Sequence, residues 1–148
     1  MSVDVVWQAG PAVLEVARVA ALVEAALACG GRSGIDVAVV FVDGDTLTGM
    51  HERWLGDPSP TDVISFDLGE GGGGPAGELY VSVDQARRVA EQRAVPLERE
   101  LSLYVVHGCL HLCGFDDRED ADRERMRRAE SEILDGLGLP RDPRPFDA

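Results

Sequence analysis

Apolar and polar positions change period several times along the chain, and each change predicts an element. Val3-Asp-Val-Val-Trp7 reads as a short strand. From Pro11 to Ala28 the apolar residues Val13, Val16, Ala17, Ala20, Val23 and Leu27 recur at helical spacing, and Gly30-Gly31 is a stop signal. Ile35 to Val42 is almost continuously apolar and β-branched, the mark of a buried strand. Asp43 then opens a helix through Leu47, Met50 and Trp54. Two further strands follow, Thr61 to Asp67, alternating about Val63, Ser65 and Asp67, and Glu78 to Val83. The glycine run from Gly69 to Pro75 between them makes only a flexible loop. Asp84 is expected to cap a helix to about Arg93, Pro96 to occupy the first position of a second, and a third to run from about Arg118 to Gly136.

Strands interleaved with helices, the last two strands at hairpin spacing, predict an α+β fold: one small domain over residues 1–139, with about four strands in a mixed sheet and helices packed on it. Pro140 to Ala148 reads as a Pro-rich, flexible tail. A chain of 148 residues is long enough to bury one core without staples. No repeat or second domain is visible. Gly71 to Gly74 lacks the lysine and the strand-to-helix context of a phosphate-binding loop, so no nucleotide cofactor is expected. The opening Ser2-Val-Asp-Val-Val has an early acid and no basic segment, and no apolar run reaches membrane-spanning length. Cys29, Cys109 and Cys113 form no disulfide framework, which points to a reduced, cytoplasmic protein without membrane association.

Charge narrows the choice of partners. The formal net charge is −13, and all fourteen cations are arginine. Such a field repels phosphate backbones at long range, so binding of nucleic acid has to rest on a local patch. Arg123, Arg127 and Arg128, however, alternate with Asp and Glu, as solvated, salt-bridged helix faces do.

The candidate chemistry lies in His107-Gly-Cys-Leu-His111-Leu-Cys-Gly-Phe-Asp-Asp117. Histidines at i and i+4 share a helix face roughly 5–6 Å apart, within reach of one ion bound about 2 Å from each nitrogen. Gly114 ends the helix and lets the chain turn back, which swings Asp116 and Asp117 toward the histidine face. A third ligand from that return leaves one coordination position open, the arrangement of a catalytic rather than a structural zinc. Either aspartate suits the role. Asp117, followed by Arg-Glu-Asp and a helical pattern, also reads as a helix N-cap. Cys109 and Cys113 each lie two residues after a histidine, roughly 200° around the helix, so their thiols are expected to point away from the imidazoles.

Three blocks together carry a family resemblance: Pro60-Thr-Asp-Val-Ile-Ser-Phe66, Gly77-Glu-Leu-Tyr-Val-Ser82 and the histidine segment. In that order, over nearly the whole chain, they resemble the YbeY family of bacterial ribosomal-RNA maturation factors. The resemblance implies a zinc-dependent endoribonuclease, one Zn2+ per chain, that processes the small-subunit rRNA 3′ end and serves ribosome quality control. It implies rRNA and the small subunit as partners, together with ribosomal proteins and an assembly GTPase. The family's third histidine is replaced here by Asp117, which favours Asp117 over Asp116 as the ligand beside His107 and His111. A carboxylate oxygen is an acceptable zinc ligand. The family's arginine after the aromatic of the second helix falls on Leu55, and Arg53, two residues back, points to the opposite side.

No side chain is assigned as general base: a zinc-bound water either attacks phosphorus directly or, as hydroxide, deprotonates the RNA 2′-hydroxyl for internal attack, and the sequence does not choose between them. Zinc peptidases of the His-Glu-x-x-His type place their base where this chain has Gly108. Asp62 and Ser65 are candidates to line the cleft, unless they serve strand or turn hydrogen bonds. Two other classes compete: a zinc metallohydrolase of peptides or phosphoesters, and a non-catalytic ribosome-assembly factor whose zinc is structural.

Overall fold

The computed structural model describes residues 2–139, so the Pro-rich tail lies outside the described residues. Elements follow in the order β1 (Val3–Trp7), α1 (Val16–Gly30), β2 (Val37–Val42), α2 (Gly44–Leu55), β3 (Val63–Asp67), β4 (Gly77–Ser82), α3 (Val83–Arg93), α4 (Leu97–Leu112) and α5 (Asp120–Gly136). The strands form one mixed sheet in the order β1-β2-β4-β3. β1, β2 and β4 run parallel, and β3 closes the edge antiparallel to β4 with Val63 opposite Val81 and Ser65 opposite Leu79. The α+β reading with a four-stranded mixed sheet therefore holds.

Alternation within the strands splits the apolar residues between two layers. Val37, Val39, Phe41, Leu79 and Val81 face the main core with Leu22 and Leu27 of α1, Leu101, Val105 and Leu110 of α4, and Met126 and Ile133 of α5. Val40, Val42 and Ile64 face the other way, onto Leu47 of α2. β2 is covered on both faces, which explains why its sequence is an unbroken apolar run.

Several boundaries differ from expectation. α1 starts at Val16 rather than Pro11, because Leu14 is buried from an irregular approach and Glu15 holds the extended N-cap conformation. Asp84 does not cap α3. Ser82 does so, accepting the N–H of Gln85, while the Asp84 carboxylate reaches across to accept the N–H of Gly44 at 2.7 Å. It thus serves the N-terminus of α2, where a negative charge complements the helix dipole. Pro96 is the N-cap of α4 rather than its first residue, and α5 begins at Asp120 with Glu119 as its N-cap. Residues 114–119 are therefore free of helical structure between the two. Among the described residues no helix is long and apolar enough to cross a membrane.

Candidate metal centre

α4 is held against the sheet by the residue between its histidine and its cysteine. A Cβ added to Gly108 would lie 2.9 Å from Leu79 Cδ2 and 3.1 Å from both Ser65 Oγ and Val63 Cγ2, and the Ser65 hydroxyl donates to the Gly108 carbonyl at 2.9 Å. Position 108 thus faces the sheet, and the neighbouring His107 turns toward Glu130 of α5. Gly108→Ala is expected to push α4 off β3 and to cost about 1–3 kcal/mol as an overpacking change, read as a lower denaturant midpoint. An unchanged midpoint would contradict this contact.

Both histidines present the same nitrogen to the same point. His107 Nδ1 lies 2.6 Å from Glu130 Oε2 on α5, and His111 Nδ1 lies 3.0 Å from the Phe115 carbonyl oxygen. A carboxylate and a carbonyl only accept, so each Nδ1 carries the hydrogen and donates it. In the neutral rings each Nε2 is then an unprotonated acceptor. The two Nε2 atoms stand 3.1 Å apart, and Asp117 Oδ2 is 3.5 Å from one and 3.8 Å from the other. Three acceptors converge with no donor among them.

That geometry suits a metal cation. For bonds of about 2 Å, tetrahedral ligands stand about 3.3 Å from one another, within the range of the three observed separations. Among the described residues these are the only side chains grouped in this way. Nitrogen, nitrogen and carboxylate oxygen form a donor set zinc accepts, and three ligands leave a tetrahedral position free.

The return loop places Asp117. Gly114 adopts φ +91, a left-handed conformation that costs glycine little, and the Phe115 N–H returns to the Leu110 carbonyl at 3.0 Å. Arg125 lies over the Phe115 ring at 4.4 Å, and Arg123 donates to the carbonyl oxygens of Asp117 and Arg118. Asp116 turns elsewhere: its carboxylate accepts the Asp117 N–H at 2.7 Å. Asp117 is not the N-cap of α5, a place that Glu119 takes.

The remaining candidates are dispersed. Asp62 accepts the Val63 N–H, and its charge reaches His107. Ser65 is occupied with Gly108 as described. Cys109 is fully buried, which pushes its thiol pKa far up, and neither it nor Cys113 joins the histidine group. His51 bonds the Ser59 carbonyl away from the centre, and Leu55 is exposed at the end of α2. For His107, burial is the largest influence and disfavours the imidazolium. The Glu130 hydrogen bond and charge, followed by Asp62 and Asp117, outweigh it and raise the pKa.

The alternation of acids with arginines along α5 hides Glu130 in the sequence. Its position nevertheless falls on the buried stripe of Met126, Ala129, Ile133 and Leu134. An acid inside an apolar helical stripe was the visible sign.

Comparison with known proteins agrees with the sequence blocks. The endoribonuclease YbeY family profile matches residues 12–138. The proteins named endoribonuclease YbeY from Phocaeicola vulgatus and Symbiobacterium thermophilum are 37% and 38% identical, the aligned regions covering 76% and 74% of this chain and 80% and 76% of theirs. The relative of that name from Anaeromyxobacter is 36% identical over 76% of this chain, and the chain spans only 60% of its length. In fold, the chain is similar to the solution structure of TM1509 from Thermotoga maritima, with a TM-score of 0.60, 21% identity, and coverage of 97% of this chain and 99% of that one. Because the matched region includes α4, the return loop and α5, everything that builds the centre, the chain belongs to the endoribonuclease YbeY family.

Proposed function

We propose that the chain is a zinc-dependent endoribonuclease that processes the small-subunit rRNA 3′ end in the cytoplasm and serves ribosome quality control, with one Zn2+ held by His107, His111 and Asp117. The observation carrying this reading is the convergence of two Nε2 atoms and a carboxylate oxygen on one point, with both Nδ1 atoms bonded to acceptors elsewhere. When bound there, zinc supplies Lewis-acid activation of water and stabilises charge on phosphoryl oxygens. The protein's own groups set its orientation: Glu130 and the Phe115 carbonyl hold the two rings, and the pinned return loop holds the carboxylate.

A catalytic zinc is favoured over a structural one by the three-ligand set and by its accessibility, since the Asp117 and His111 side chains are 40% and 32% exposed. A peptidase is disfavoured because position 108, where the base would stand, faces the sheet with no room for a carboxylate. Asp62 acts on His107 through its charge, while its carboxylate is bonded to the Val63 N–H.

The net charge of −13 and the exposed Leu55 bear on how RNA is engaged. Isolated RNA is expected to bind weakly and with strong salt sensitivity, and RNA presented on a ribosomal particle, beside basic ribosomal proteins, to be cleaved much faster. The zinc-loaded chain is to be assayed on a small-subunit rRNA precursor, free and on the particle, with casein and a simple phosphodiester alongside. Cleavage of the precursor that stops on chelation supports the reading. Hydrolysis of casein, RNA cleavage indifferent to chelation, or tight binding of naked single-stranded RNA at physiological salt would each contradict it.

A further inference from the structure

Glu130 is a carboxylate that the fold has placed where a carboxylate is costly. Its side chain is 3% exposed on α5, among Met126, Ala129, Ile133 and Leu134. Both oxygens are used: Oε2 accepts from His107 Nδ1 at 2.6 Å, and Oε1 pairs with Arg127 Nη1 at 3.1 Å. Arg127 is itself 38% exposed, so solvent screens its attraction, and a carboxylate buried this deeply gains little net stability from the pair once its desolvation is counted. An apolar residue would fill the same stripe at no such cost. The acid therefore calls for an explanation outside folding.

The bond itself supplies one. An imidazole has two neutral tautomers, and only the one with hydrogen on Nδ1 leaves Nε2 free to bind a cation. The contact with Oε2 selects that tautomer, fixes the rotation of the ring about its Cβ–Cγ bond, and makes Nε2 a stronger base. Arg127 in turn holds the carboxylate in place. His111 receives the same service only from a backbone carbonyl, in a loop, with no charge.

We infer that Glu130 is a positioning residue of the metal centre, holding His107 in its Nδ1–H tautomer with Nε2 aimed at the ion, and that Arg127 anchors it for this task. The inference rests on the metal reading of the preceding section. Two measurements separate the fates of the two.

The first needs no metal. Nitrogen-15 spectra of the imidazoles in the metal-free full-length chain, recorded at alkaline pH where the rings are neutral, are expected to show His107 almost wholly as the Nδ1–H tautomer. In Glu130→Ala a large fraction should shift to Nε2–H, with Glu130→Gln, whose amide oxygen still accepts, lying between. The second is competition of Zn2+ alone against a chromophoric chelator. Glu130→Gln is expected to weaken zinc binding roughly 10- to 100-fold, and Glu130→Ala at least as much. Arg127→Met is expected to weaken it less, while the metal-free unfolding midpoint of Glu130→Gln stays close to the parent's.

A purely structural Glu130 would lower the midpoint without moving the tautomer. That result, or wild-type zinc affinity in both Glu130 variants, would overturn the inference. If the parent chain binds no zinc, the metal reading fails. The tautomer spectra then still decide whether Glu130 holds the ring, and an unshifted His107 in Glu130→Ala rejects the positioning role as well.

Discussion

Alanine in place of His107 or of His111 is expected to strip zinc from the purified chain. In the proposed site each ring contributes one of three ligand atoms, and the Nε2 atoms stand 3.1 Å apart. Removing either leaves a two-ligand site, whose affinity falls by orders of magnitude. Elemental analysis measures the content directly, and full occupancy in both variants would reject the site. The two substitutions should differ in a second respect. His107→Ala takes one of two donors from the buried Glu130 carboxylate, a loss worth about 1–3 kcal/mol. His111→Ala frees only a carbonyl in an exposed return. The metal-free His107 variant is therefore expected to unfold at the lower denaturant concentration, and equal midpoints would contradict the pairing with Glu130.

Asp117→Ala is expected to weaken zinc binding and abolish RNA cleavage while leaving the metal-free fold intact. Its Oδ2 is the third converging acceptor, and no other described side chain is grouped there to replace it. The competing role, N-cap of α5, predicts a loss of about 1 kcal/mol with metal content unchanged. That role belongs to Glu119, so no such loss is expected. Asp116→Ala is the control. Its carboxylate is turned to the Asp117 N–H, and the variant should keep its zinc. Asp117→His should keep it too, since a third imidazole restores the pattern usual in the family. Parent-like zinc affinity in Asp117→Ala would reject the carboxylate as a ligand.

Local patterns made much of this legible. A helix with histidines four residues apart needs no tertiary information to place both rings on one face, and Gly114 announced the turn because a left-handed residue there favours glycine. The strand cores were visible for a similar reason, since burial on one or both faces writes itself as alternation or as an unbroken apolar run. Capping was less transparent. Asp84 had the composition of an N-cap, yet it serves the N-terminus of another helix, and Ser82 caps α3 in its place. A polar side chain beside a helix start bonds whichever N–H the packing brings nearest.

The chain by itself determined the element types and the histidine pair, because each depends on spacing within a few residues. Choosing between Asp116 and Asp117 depended on the path of the loop after Gly114, which Phe115, Arg123 and Arg125 set by contacts with α4 and α5. Glu130 lies twenty-three residues beyond His107, and only the packing of α5 on α4 brings its oxygen to 2.6 Å. Gly108 read as a missing peptidase base, and the sheet gave it its reason: α4 rests there on Leu79, Ser65 and Val63. Ligand spacing along one helix is a local property, but the loop and second helix that complete the centre are held by contacts between segments distant in sequence, which only the folded packing decides.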